Sequence, residues 1–248
     1  MKIAVCVKQT FDTEAKIVLK DGKVSEDGVN LIINPYDETA VEEALQIKEK
    51  QGGEVLVVSA GSDKSQDAIR QALAMGADKG ILINADTNAD EFARAVILSK
   101  VIGGLGADLI LCGHVAADDG SSQVPTRLAE ILNLPHVNVV NKLELNGGTA
   151  TCTRETDGGT EIIEVKLPAV ITCQVGMNEP RYPSMKGIMQ AKKKPIDKAA
   201  GEAVASKVTI GSYFIPPAKA AGKKIEVDAP EAAAQLFNWM KNEVRVLG

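Results

Sequence analysis

Short apolar runs alternate along this chain with longer stretches whose apolar residues recur every three or four positions. The runs Lys2–Val7, Glu54–Ser59, Gly80–Ile83, Asp108–Cys112 and Ala169–Val175 are rich in Val, Ile and Leu. Continuous apolar runs of that length predict strands buried on both faces. Helical spacing lies between them. Glu38–Gln51 carries Val41, Leu45 and Ile47, and ends in lysines; Lys64–Met75 carries Ile69 and Leu73 on one face. Two further helices are expected over Asp90–Gly103 and from about Ser121 to Leu132. Strand alternating with helix predicts an α/β fold. Its expected form is a doubly wound, mostly parallel sheet with right-handed crossovers, Rossmann-like and of the adenine-nucleotide-binding type.

The alternation breaks at residues 141–167. Asn146-Gly147-Gly148 and Asp157-Gly158-Gly159 punctuate short β-prone runs there, which predicts an antiparallel β-ribbon. From Asn178 the compact pattern dissolves. Pro180 and Pro183 exclude a strand ladder, and Met185, Ile188 and Met189 stand among polar residues before the lysines 192–194. Such a segment suits an exposed loop that offers an apolar plug to a partner; a plain surface excursion is the alternative. Residues 195–228 show little periodicity, and Pro230–Val246 reads as a terminal helix with Leu236, Phe237, Trp239 and Met240. The expected organisation is an α/β unit over 1–194, including the ribbon and the loop 178–194. An extended C-terminal arm follows over 195–248, packed either on a partner subunit or on its own domain.

With 248 residues the chain is long enough to bury a large core, and a net charge of −5 gives no electrostatic footprint for nucleic acid. Cys6, Cys112, Cys152 and Cys173 lie in apolar or strand-like runs without CxxC spacing, which predicts buried reduced thiols. No run is long and apolar enough for a membrane span, and the N-terminus enters a strand directly. The expectation is a cytoplasmic chain with no direct membrane insertion.

Open α/β sheets bind ligands beyond the carboxyl ends of their strands. Lys8-Gln9-Thr10 follows the first strand, Ala60-Gly61 the second, and Gly113–Val124 (GHVAADDGSSQV) the fourth. Gly120, Ser121 and Ser122 precede a helix, where free amides and hydroxyls can hold a phosphate. Asp118 and Asp119 would repel phosphate, so they are expected to accept from ribose hydroxyls or to cap amides. A plain acidic loop with an N-cap is the alternative. Asn34-Pro35-Tyr36-Asp37 forms a second candidate. Asn34 suits an N-cap and Pro35 the first helical position, but capping leaves Tyr36 unexplained. Stand-alone chemistry is missing. His114 and His136 sit in no metal or triad pattern, and no GxGxxG or GxxxxGK is present.

Several long runs resemble one family. They are KIAVCVKQTFDTEAKI, GVNLIINPYDETAVEEALQIKEK, IRQALAMGADKGILI, GHVAADDGSSQV, RETDGGTEIIEVKLPAVIT and LPAVITCQVGMNEPRYPSMKGIMQAKKK. Together, over roughly residues 1–196, they resemble the electron transfer flavoprotein beta subunit. The resemblance implies a non-enzymatic electron-carrier subunit that binds AMP structurally. An alpha subunit would hold the redox-active FAD, and acyl-CoA or other dehydrogenases would dock on this chain. Carried across by position, the AMP contacts are Cys6, Asn34, Pro35, Tyr36, Asp37 and Ala60, and the loop Gly113, His114, Val115, Ala116, Ala117, Asp118, Asp119, Gly120, Ser121, Ser122, Gln123 and Val124. Adenine would meet the backbone near Cys6 and Ala60, phosphate would meet Ser121–Val124, and Tyr36 would lie near the flavin. Tyr182, Pro183, Ser184, Met185, Ile188 and Met189 would form the docking segment, with Met185 where relatives usually carry Leu. The Gly120–Val124 ending departs from the usual acidic Asn-Gln-Thr form. It lies partway toward bifurcating relatives with a second FAD here, while lacking their Asp-Gly-Asp-Thr and Gly-Pro steps. The bifurcating form and a stand-alone nucleotide binder of the universal-stress type are the alternatives.

Overall fold

A computed structural model describes residues 1–219, 221–222 and 224–246; positions 220, 223, 247 and 248 of the expected arm lie outside the described residues. In chain order the elements are β1 (Lys2–Cys6), β2 (Gln9–Phe11), β3 (Leu19–Lys20), β4 (Lys23–Val24), β5 (Leu31–Ile33), α1 (Pro35–Gln51), β6 (Glu54–Gly61), α2 (Gln66–Met75), β7 (Lys79–Asn84), α3 (Glu91–Ile102), β8 (Leu109–Gly113), α4 (Val124–Leu132), β9 (His136–Asn146), β10 (Thr149–Thr156), β11 (Gly159–Lys166), β12 (Ala169–Cys173), α5 (Met185–Ala191), β13 (Ile196–Ala200) and α6 (Ala229–Asn238).

The main sheet has nine strands in the order β11-β10-β9-β12-β8-β1-β6-β7-β13. Seven of them, β9 through β13 in that order, pair parallel. Strands β10 and β11 extend the β9 edge as an antiparallel meander. Alternation along the strands divides the core. Ile3, Val5, Leu109 and Leu111 join the apolar faces of α1 and α2 in one cluster. Ala4, Ile110 and Cys112 join Ile97, Leu98 and Ile102 of α3 and Leu128 of α4 in the other. Helices therefore cover both faces, which is why the strands read as continuous apolar runs. Among the described residues no helix is long and apolar enough to cross a membrane.

Two boundaries differ from expectation. The ribbon begins earlier, because β9 starts at His136 and its first residues pair parallel with β12 before turning outward with β10. Ile196–Ala200, expected in an irregular arm, is an edge strand paired with β7. Its residues alternate poorly between apolar and polar, so periodicity alone gave no strand signal. From there to Ala229 no regular element occurs among the described residues. Helix α6 buries no residue, and Phe237 is 54% exposed.

Candidate nucleotide cleft and docking segment

The chain runs from central β1 outward through β6 and β7, then crosses to β8 on the other side of β1. The strand order reverses between β1 and β8, where the two following loops part and leave a crevice. A cleft opens there, beyond Cys6 and Gly113, with about 660 Å³ of empty space once the open solvent at its mouth is included.

Helix α1 begins at this point, and its first turn braces the cleft. The expected side-chain N-cap by Asn34 is not made. Instead Asn34 Nδ2 donates to the Val115 carbonyl at 2.9 Å, and its Oδ1 accepts from the Ala117 amide at 3.1 Å. An amide side chain offers both donor and acceptor, so it stitches the β8 loop to the helix start. Asp37 is buried and accepts from the amides of Lys8 at 2.7 Å and Gly113 at 2.9 Å. Burial is the main influence on its carboxyl and pushes it up to about 7, against the opposing bonds from Lys8, Asn34 and Gly113. Tyr36 meets His114 edge-on, with ring centroids 6.3 Å apart. Burial lowers the His114 pKa.

Lys8 Nζ crosses the mouth to Asp118 at 2.6 Å and Asp119 at 2.7 Å. Burial works against the Asp119 charge, but bonds from Lys8 and the Ser121 amide outweigh it and hold the carboxyl below its ordinary value. The two acids thus share one ammonium, which offsets one of their two charges. The amides expected to be free for phosphate are only partly so. Gly120 donates to the Ala116 carbonyl and Ser121 to Asp119, both at 2.9 Å. The amides of Ser122, Gln123 and Val124, at the start of α4, have no hydrogen-bond acceptor among the described residues. Ser122 sits at φ 53° and gives its hydroxyl to the His114 carbonyl at 3.0 Å. That left-handed turn ends the loop and begins the helix.

Most positions expected by resemblance line the cleft; Pro35, Tyr36, Ala117, Asp118 and Gly120 do not. Lys8, named only as following the first strand, lines it too, as do Arg94 and Cys112, which sequence reading missed. Arg94 lies on α3 and is held by the carbonyls of Ala89 and Thr87, both at 2.8 Å. Its position after the third strand was the available signal. The donor set fits an adenine nucleotide: three unpaired amides at a helix start, with Arg94 on the same cleft, suit a phosphate, and strand-end backbone suits a base.

The segment after β12 is more ordered than expected. Met185–Ala191 is a short helix, with the Ser184 hydroxyl accepting from the Gly187 amide at 3.0 Å. Tyr182, Met185 and Met189 remain exposed on it, at 96%, 77% and 65%. Both ends are tied down. Arg181 pairs with Glu42 and Glu49 of α1, and Arg70 of α2 donates to the carbonyls of Ala191 and Lys194 at 2.6 Å. Lys194 is half-buried. It donates to the carbonyls of Leu73 and Ala77 at the end of α2.

The electron transfer flavoprotein domain family matches residues 21–204, a span holding most of the cleft and the whole docking segment. Relatives carrying the name electron transfer flavoprotein subunit beta match nearly end to end. The one from Syntrophomonas wolfei is 66% identical over 247 residues, covering 99% of this chain and 98% of its own. The Bacillus subtilis relative is 42% identical with full coverage of both, and the human one 38% over 91% of this chain and 93% of its own.

This chain belongs to the electron transfer flavoprotein beta-subunit family.

Membership sets aside the stand-alone stress-protein alternative, because the match spans sheet, ribbon and docking segment together. The domain-family match ends at residue 204, just past β13, where regular structure also gives way.

Proposed function

We propose that this chain is the beta subunit of a heterodimeric electron carrier. It holds AMP in the switch-point cleft, supports an FAD held mainly by an alpha subunit, and receives dehydrogenases on the segment 182–189. The observation that carries the nucleotide reading is the convergence of the free Ser122, Gln123 and Val124 amides with Lys8 and Arg94 on one cleft. FAD would supply the electron chemistry, and this chain contributes position and docking. His114 lines the cleft with Tyr36 packed edge-on against it, and burial favours a neutral His114, so this face brings no extra cation to a flavin.

The arm from residue 201 exposes Phe214 and Ile215 at 78% and 66%, and α6 exposes Phe237. Apolar surface of this kind suits an alpha-subunit contact. The exposed methionines suit a docking plug, since a flexible thioether adapts to varied pockets.

Nucleotide extraction from the co-purified heterodimer is the test. One AMP and one FAD per heterodimer is the expected result. Two FAD and no AMP would replace this reading with the bifurcating form.

A further inference from the structure

The buried carboxylate of Asp37 has no role in capping α1 that a neutral side chain would not fill. Its two oxygens face outward from the helix. Oδ2 accepts from the Lys8 amide just past β1, and Oδ1 accepts from the Gly113 amide at the end of β8. These are the two strands between which the cleft opens. The approach is close: a Cβ at Gly113 would collide with the Asp37 side chain and with backbone of α1. Glycine at 113 thus lets β8 end directly on the carboxylate, although its φ is unexceptional.

The surroundings do not explain a charge there. Lys8 is the cation nearest it, and its ammonium is already taken by Asp118 and Asp119. From β8 the site faces Cys112 and from β12 Cys173; both thiols are held protonated, in part by Asp37 itself. His114 follows β8, and Glu38, half-buried, flanks Asp37 on α1. A carboxylate is the side chain that accepts twice and donates nothing, which matches two converging N–H groups. An asparagine would turn one donor against one of those amides.

We propose that Asp37 is the positioning residue of the switch-point cleft: its ionised carboxylate holds the amides of Lys8 and Gly113 on one buried acceptor, and nucleotide affinity depends on both bonds. The choice of ligand rests on the AMP reading above; the positioning role does not.

Two measurements on the full chain with its alpha subunit test it. The first compares AMP affinity of wild type and Asp37→Asn across a pH series centred near 7. Above that pH the variant should bind about tenfold or more weakly, because one buried amide loses its acceptor. Below it the two should converge as wild type protonates. Titration of the ligand phosphate is common to both and cancels in the ratio. Equal affinities at every pH would overturn the proposal. The second follows the amide resonances of Lys8 and Gly113 in nucleotide-free wild type. They should move together with one midpoint near 7. Movement of only one of the two amides, or separate midpoints for them, would overturn the positioning role even if the variant fails to fold. If wild type retains no AMP, the ligand reading fails while the amide titration still decides Asp37.

Discussion

Arg181 grips Glu42 with two parallel hydrogen bonds, Nε to Oε2 at 2.7 Å and a terminal nitrogen to Oε1 at 2.9 Å. The Glu42 side chain is only 4% exposed, while Arg181 keeps 34% of its surface. Burial pulls the Glu42 carboxyl upward, but the bonds from Arg181 and Gln46 outweigh it and leave it below the ordinary value. Asn178 adds bonds to Thr39 and Glu43 one turn away. The root of the segment proposed for docking is thereby fixed to α1, whose first turn braces the cleft.

Arg181→Met should therefore destabilise the fold. It strands a buried carboxylate, a loss of about 3–5 kcal/mol when fully enclosed, and about 1–3 kcal/mol here because the arginine is partly in water. The linkage sign follows from the lowered Glu42 pKa. The contribution is present above the unfolded carboxyl pKa and is lost as pH falls through the folded value. The deficit of the variant should thus shrink in acid. Thermal melting at several pH values checks this, and limited proteolysis should show cleavage appearing between residues 178 and 191. A variant that melts like wild type at neutral pH would refute the anchor.

Asp37→Asn carries the opposite sign. Its folded pKa is raised from 3.8 to about 7, so the native state takes up a proton that the unfolded chain has released. The stability tied to this group is complete below the unfolded pKa and declines as pH rises through 7. The span amounts to on the order of 4 kcal/mol. Asparagine escapes that loss but leaves an amide unpaired, at about 1–3 kcal/mol. Protonated wild type also presents a single acceptor, so the two should be about equally stable in mild acid, and the variant should be the more stable protein above pH 8. Denaturant midpoints across pH measure the divergence; parallel curves would show that Asp37 does not titrate as stated. A carboxylate that weakens the fold at working pH is the kind of group retained for a site.

The strands and helices around the cleft were legible because buried parallel strands and amphipathic helices leave strong periodic signals. The topology placed Cys6, Ala60 and Gly113 at strand ends before any coordinates. The partners of polar side chains were not legible. Asn34 looks like an N-cap in sequence and is a strap to the β8 loop in space; nothing local distinguishes the two. Lys8 pairs with Asp118 across 110 residues of chain, which no periodicity encodes. Helix α5 was hidden by its prolines and glycine; Ser184 starts it, and packing on α2 holds it. Strand β13 forms because β7 offers a free edge, a tertiary cause without a local pattern.

The lysines 192–194 are chemically alike in sequence and unlike in the fold. Lys192 and Lys193 are exposed, whereas Lys194 reaches the last carbonyls of α2, and burial lowers its pKa. A cation at a helix C-terminus satisfies orphan carbonyls and complements the helix dipole. Lys194→Met should lose about 1–2 kcal/mol, while Lys192→Ala and Lys193→Ala should stay within about 0.5 kcal/mol of wild type. Three melting curves decide it, and equal stabilities would return Lys194 to the solvated surface.

Met185 tests the docking reading with the least disturbance to the fold. Its side chain begins α5 and is 77% exposed, so truncation removes little buried surface. Ser184, which caps α5, and Gly187, which sits against the Ala74 carbonyl, are left untouched. Met185→Ala should accordingly keep its melting temperature, nucleotide content and flavin content near wild type. An apolar anchor that fills a partner pocket contributes about 2 kcal/mol or more, which exceeds a factor of ten in affinity. Reduction of the carrier by a cognate dehydrogenase, titrated at limiting carrier, should therefore slow by about tenfold or more and recover at saturation. Recovery separates weakened docking from impaired electron transfer within the complex. A titration curve superimposable on wild type would leave Tyr182 and Met189 as the remaining anchors and remove Met185 from the interface.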